Sequence, residues 1–195
     1  MPRHGRVHRK TTETDILVEL TLDGRGRSQV ETGLPFFNHM LAQLARHGLF
    51  DLTIRAKGDL EVDAHHTMED VGLALGEAFA QALGEKVGIR RYGQATVPMD
   101  DALGWVAVDL SGRPYLVYQA ERLTGKIGEF DAQLLKEFFR ALATALKANV
   151  HIGVPYGENT HHMAEAIFKA AARALGEATS LDPRVPDVPS TKGSL

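Results

Sequence analysis

HHTMED, residues 65–70, returns ninety-six positions later as HHMAEA, residues 161–166, in a chain of 195 residues with nine histidines. On an α-helix, residues three or four apart share a face, whereas adjacent side chains diverge by about 100°. Two neighbouring histidines therefore cannot easily hold one ion together. His65 or His66 can share an ion with Glu69, and the other must point to a second ion. The same holds for His161, His162 and Glu165. Two such helices predict two metal ions, each drawing one histidine from each pair, with Glu69 and Glu165 supplying one carboxylate each. Composition alone predicts roughly 0.03 chance occurrences of this pattern in such a chain, so two are informative.

Outward from the two motifs the chain repeats. DILVELTLDG (15–24) and GWVAVDLSGR (104–113) alternate as half-buried strands, with Val18, Leu20 and Leu22 answering Val106, Val108 and Leu110 at an offset of 88. PFFNHMLAQLARHG (35–48) and AQLLKEFFRALATALKAN (132–149) read as helices. Their alignment at an offset of 98 carries Leu52-Thr53-Ile54 onto Val150-His151-Ile152, and extra residues in GKIGEFD explain the change. Each half closes with a helix that opens on its His pair, 65–84 and 161–178. The expected order is strand, strand, helix, strand, helix, twice. That predicts an α+β fold in two pseudo-equivalent halves, each a β-sheet with two helices on one face, from an internal duplication. Halves of this size are marginal alone, so residues 1–195 are expected to form one unit, with half one about 7–88 and half two about 93–179. Residues 180–195, with three prolines, cannot form a regular helix and read as a floppy tail.

The helix alignment sets His39 against Glu137, giving eight candidate metal ligands: His39, His65, His66, Glu69, Glu137, His161, His162 and Glu165. Four donors per ion leave two open octahedral positions, and open positions point to catalysis. Glu137 also lies among Lys136 and Arg140, where a solvated carboxylate is common. His47 reads as a helix C-terminal residue, His4 and His8 as tail, and His151 as a satisfied core or sheet residue. The chain has no cysteine, so any ion must be held by histidine and carboxylate, which suits Mn, Fe, Zn or Mg.

The repeat breaks its symmetry at Lys169, which answers Leu73, and at Gln43, which answers Ala141. Lys169 reads either as an i, i+4 partner of Glu165 or, with Arg90, Arg91, Arg113 and Lys192, as part of an anion cradle. A net charge of −3 with scattered basic residues gives no basis for nucleic-acid binding. No apolar run approaches the eighteen or so residues of a membrane span, and MPRHGRVHRK has no apolar stretch behind its basic residues, so a cytoplasmic location is expected.

RKTTET (9–14), FFNHMLAQLARHGLFD (36–51), DAHHTMED (63–70), DLSGRPYL (109–116), GENTHHMAEAIFKA (157–170) and PSTKG (189–193) together resemble the imidazoleglycerol-phosphate dehydratase family, in order and over nearly the whole chain. The resemblance implies the monofunctional form rather than a fusion with a histidinol-phosphatase. It implies Mn(II), about two ions per subunit, twenty-four subunits with metal sites where they meet, and loss of water from D-erythro-imidazole-glycerol phosphate to give imidazole-acetol phosphate. The leaving hydroxyl has no neighbouring carbonyl to acidify the C–H bond, so the electron push must come from the ring, which a metal on a ring nitrogen favours. By resemblance Glu13 is the acid/base residue at the reacting carbons, and Asp101 is its counterpart in the repeat. Glu69 and Glu165 belong to the catalytic centre, and Gln43, Arg91, Arg113, Lys169, Ser190 and Lys192 bind substrate and phosphate. Many relatives have His where this chain has Glu137, which leaves that ligand open. A dinuclear metallophosphatase and a non-catalytic metal-binding cage use similar ligand types.

Overall fold

Alternation in the strands is what the burial follows. The computed structural model describes residues 3–195. Half one runs β1 (His4–Lys10), β2 (Thr14–Thr21), β3 (Ser28–Glu31), α1 (Pro35–Gly48), β4 (Asp51–Gly58) and α2 (His65–Leu83). Half two repeats it as β5 (Tyr92–Met99), β6 (Ala102–Asp109), β7 (Tyr115–Gln119), α3 (Leu134–Leu146), β10 (Asn149–Tyr156) and α4 (Thr160–Thr179), with a small hairpin, β8 (Lys126–Ile127) and β9 (Phe130–Asp131), before α3. The sheets have equivalent orders, β1-β2-β4-β3 and β5-β6-β10-β7. Val18 pairs with Ile54 in one and Val106 with Ile152 in the other. Ile16, Val18, Leu20 and Leu22 are buried, as are Val106, Val108 and Leu110.

Each half has three strands of its main sheet before its first helix, where the sequence suggested two, and half two adds the hairpin. β3, SQVE, has one half-buried residue and no alternation, so it carries no period to read. His4 and His8 lie on β1 and not in a tail, and the His8 ring sits 2.7 Å from Asp15. β1 approaches α2 so closely that a Cβ on Gly5 would strike the Ala78 carbonyl, and Gly93 on β5 meets the Ala174 carbonyl of α4 in the same way. The extra GKIGEFD residues that change the offset form the hairpin β8–β9, and Phe130 reaches Phe36 with ring centroids 5.0 Å apart.

The helices cross between the halves. α1 packs on α4, and α2 on α3. Small residues permit this: Gly72 faces the Phe138 carbonyl and the Ala141 methyl, and Gly76 faces Ala145 and the Leu142 carbonyl. Phe37, Phe138 and Phe168 meet at centroid distances of 5.2 and 5.6 Å, all fully buried. Each such ring contributes about 2–3 kcal/mol through burial, so the two halves share one core. No helix among the described residues is long and apolar enough to cross a membrane.

The C-terminal segment is not floppy. Asp182 donates its N–H to Gly88, Gly88 donates to Asp187, and the Arg91 guanidinium donates to the Pro189 carbonyl at 2.9 Å. Its prolines forbid a helix, but extended backbone can still bond residues 88–91, and it does.

Candidate metal and catalytic site

The crossing of α1 and α4 assembles a three-donor group from residues 126 positions apart. Asn38, on the first turn of α1, accepts the Thr32 N–H at 3.0 Å and the Thr32 hydroxyl at 2.6 Å, which fixes the entry to the helix and with it His39. Asn159 caps α4 by accepting the N–H groups of His161 and His162 at 2.9 and 3.3 Å. The Nε2 atoms of His39 and His161 then stand 3.3 and 3.2 Å from one oxygen of Glu165, and the three ligand atoms lie within 4.8 Å of one another. Two imidazoles and a carboxylate at this spacing fit a divalent first-row ion. Glu165 is the buried member, and its other oxygen takes the Gln43 amide at 3.2 Å and the Lys169 ammonium at 2.7 Å. Burial pushes the Glu165 carboxyl up, but Lys169 and the two histidines outweigh it and hold it below its ordinary range. Lys169 therefore makes the i, i+4 pair, and Gln43 joins it there.

The adjacent histidines diverge as helical geometry requires, with ring centroids 6.1 Å apart for His65–His66 and 6.2 Å for His161–His162. His162 turns towards the β5–β6 hairpin, where its Nδ1 is 2.5 Å from Asp101 and its Nε2 3.6 Å from Asp100. His66 turns towards the β1–β2 hairpin: Nδ1 is 2.9 Å from Asp59 and Nε2 3.8 Å from Glu13. The Asp59 and Asp101 carboxylates raise the pKa of these two imidazoles, against a smaller lowering by burial. His65 lies 4.0 Å from Glu69 on the same face of α2. Among the described residues, no point in one chain gathers a histidine from both pairs: the three-donor group has His161 but neither His65 nor His66.

Glu137 is bound to Arg140 at 3.0 Å. Its position on the helix nonetheless repeats that of His39, although among the described residues no donor group forms around it. Gly76 of α2 meets Leu146 of α3, and Ala172 of α4 meets Gly48 of α1, which are the same positions under offsets of 96 and 98. Under the same offsets, Glu137 with Glu69 answers His39 with Glu165.

A separate cleft of about 610 Å³ brings together Arg91, Arg113, Ser190 and Lys192. Arg91 is a left-handed residue, φ 70°, held by two bonds to Asp109 at 2.7 and 3.2 Å, by the Pro189 carbonyl and by the Tyr92 ring 4.7 Å away. The six anticipated substrate-binding residues thus divide into this cleft and the Glu165 group. Arg90 pairs with Glu177 instead. His47 is in the last turn of α1 bonded to Gln43, and His151 is an exposed strand residue and not a core one.

Sequence reasoning missed Asp70 and Asp59. Asp70, buried, accepts from Arg9 at 2.8 Å and from the Thr14 hydroxyl at 2.5 Å, and so anchors the hairpin that carries Glu13 onto α2. It ends the HHTMED motif, but its counterpart is Ala166, so the repeat gave no signal. Asp59 stands seven residues before His66 but ahead of α2, so no helical reading connects the two.

The profile of the imidazoleglycerol-phosphate dehydratase family matches residues 32–175. The chain belongs to this family. It is 61% identical to the imidazoleglycerol-phosphate dehydratase of Symbiobacterium thermophilum over 99% of this chain and 93% of that protein. It is 55% identical to that of Geobacter metallireducens over the full length of both. Among solved structures, the Pyrococcus furiosus dehydratase superposes with a TM-score of 0.85 at 40% identity, covering 97% of this chain and all of that one. The Staphylococcus aureus enzyme gives 0.82 at 38%, covering 92% and 99%. Membership makes the protein a hydro-lyase of histidine biosynthesis, and the duplicated two-sheet architecture is the family's.

Proposed function

We propose that the protein removes water from D-erythro-imidazole-glycerol phosphate to give imidazole-acetol phosphate, using about two Mn(II) ions per subunit in a large homo-oligomer of the cytoplasm. The observation that carries the reading is the His39–His161–Glu165 group, a buried carboxylate flanked by one exposed and one half-buried imidazole. Bound Mn(II) supplies Lewis acidity at an imidazole nitrogen of the substrate and at its hydroxyls. The chain's own residues do the rest. Arg91, Arg113, Ser190 and Lys192 hold the phosphate, and the fixed Arg91 guanidinium sets its place. Lys169 and Gln43 fix Glu165 so that one oxygen faces the two imidazoles. Glu13, half exposed at the hairpin turn and 3.8 Å from His66 Nε2, is placed to take and return the carbon-bound proton.

Three donors in one chain leave an ion short of the four proposed, and the missing histidine is on α2. A second copy presenting its α2 pair supplies it, which ties metal binding to assembly. The test is product analysis with Mn(II) and imidazole-glycerol phosphate. The ketone should form with no inorganic phosphate. Phosphate release would favour a dinuclear phosphatase, and neither product a metal-binding cage.

The proposal includes Glu137 as the counterpart of His39. Glu137→Ala should lose affinity for one of the two ions, while Glu137→His should retain activity with a changed metal preference, since a carboxylate is harder than an imidazole. Calorimetric titration that finds two undiminished sites in Glu137→Ala removes it from the ligand set.

A further inference from the structure

The duplication has left one pair of equivalent positions with different work. Glu13 and Asp101 are 88 residues apart, the offset that relates β1 to β5 and β2 to β6. Each sits in the hairpin turn between the first two strands of its half, and each faces the second histidine of its half's pair. They approach opposite nitrogens. Glu13 is 3.8 Å from Nε2 of His66, whereas Asp101 is 2.5 Å from Nδ1 of His162.

The difference follows from what else is present. In half one, Nδ1 of His66 is already met by Asp59, at the end of β4. In half two the position 98 residues beyond Asp59 is Gly157, which has no side chain to offer. The turn carboxylate takes its place: one Asp101 oxygen meets His162, and the other accepts the backbone N–H groups of Glu158 and Asn159 at 2.6 and 2.9 Å. A neutral imidazole carries one proton, and whichever nitrogen donates leaves the other as the lone-pair donor. A carboxylate cannot donate when ionised, so a carboxylate at Nδ1 puts the proton there and frees Nε2.

We propose that Asp59 and Asp101 are positioning residues that set the tautomer of His66 and His162, presenting Nε2 of each to a metal ion, and that Asp59 thereby leaves Glu13 free to act on substrate. The inference rests on the reading of His66 and His162 as ligands. It treats the two halves as having reached one histidine geometry through non-equivalent carboxylates. Outer partners of this kind typically change metal affinity by about 10- to 100-fold.

Asparagine at the two positions should behave differently. In Asp101→Asn the amide oxygen keeps its two backbone N–H partners, so the NH2 group is turned to His162 Nδ1. That forces the proton onto Nε2 and blocks it. In Asp59→Asn no backbone donor fixes the amide, and its oxygen can still face Nδ1. The experiment is Mn(II) titration of the full-length assembly, stripped and reloaded, read by the EPR signal of free Mn(II), with thermal midpoints compared in chelator. Asp101→Asn is expected to bind one ion about 100-fold more weakly at an unchanged midpoint, and Asp59→Asn about tenfold more weakly. Two wild-type affinities in both variants would overturn the proposal alone. A midpoint that falls in step with the metal loss would make Asp101 merely structural and overturn it too. A wild-type protein that binds no Mn(II) would overturn the metal reading beneath it, and that is seen before any variant is made.

Discussion

A strong chelator is expected to lower dehydration by more than about 10³-fold, and Mn(II) to restore it, because the proposed reaction draws its electron push from a ring nitrogen held by a metal ion. Loss of that factor corresponds to about 4 kcal/mol of transition-state stabilisation. In the proposed substrate the leaving hydroxyl has no adjacent carbonyl; the chain has no cysteine, Lys169 is paired with Glu165 at 2.7 Å, and Lys192 is assigned to the phosphate. What the chain does offer is imidazole and carboxylate in the geometry of a divalent-ion site. Acid should mimic the chelator, since histidine must be neutral to ligate and protonates near a pKa of about 6.5 when free. Stripping should also shift a large particle towards smaller oligomers in light scattering, because among the described residues one chain gathers three donors at one point and the proposed site takes its fourth from another copy. Full turnover in a preparation that elemental analysis finds metal-free would end the metal reading. An unchanged particle size would sever only the link to assembly.

The parts of this site that were legible in the sequence are those written twice. The His pairs, Glu69 and Glu165 stand at helical spacings, and helical geometry forces the adjacent rings apart, as they are. The corresponding strands β2 and β6 alternate over eight residues and place their apolar faces inward. What the repeat does not duplicate was hidden. β3 was hidden although β7 duplicates it, because it has too few buried residues to show a period. Asp70 and Asp59 have Ala166 and Gly157 as counterparts, so neither stands out. The C-terminal segment was read from its prolines, which report only that it is not a helix; its hydrogen bonds to residues 88–91 are backbone contacts that leave no mark in side-chain pattern. The crossing of α1 onto α4 was hidden for another reason. Amphipathic helices declare which face is buried, not which neighbour buries it. That crossing makes His39 and Glu165 neighbours across 126 residues.

Glu13→Gln is expected to lower kcat by about 10²- to 10⁴-fold, the usual scale for a positioned acid/base, with KM and Mn(II) stoichiometry near wild type. The side chain is half exposed, and its hairpin is held without it: the Thr11 hydroxyl accepts the N–H groups of residues 13 and 14 at 3.1 and 3.0 Å, and Thr14 is anchored on Asp70. An isosteric amide therefore leaves the turn in place and removes only the ability to take a proton. The position is also spared from orienting a histidine, because Asp59 holds His66 Nδ1. Its counterpart Asp101 has no such freedom, since its two oxygens are committed to His162 and to two backbone N–H groups. The same amide change at the two equivalent positions should thus separate cleanly: turnover lost with metal retained at 13, and metal weakened at 101. Single-turnover kinetics beside metal titration reads both. If Glu13→Gln turns over at the wild-type rate, Glu13 is a hairpin residue only, and the proton must be taken by another carboxylate near Nε2, of which the exposed Asp100, 3.6 Å from His162, is the one to substitute next.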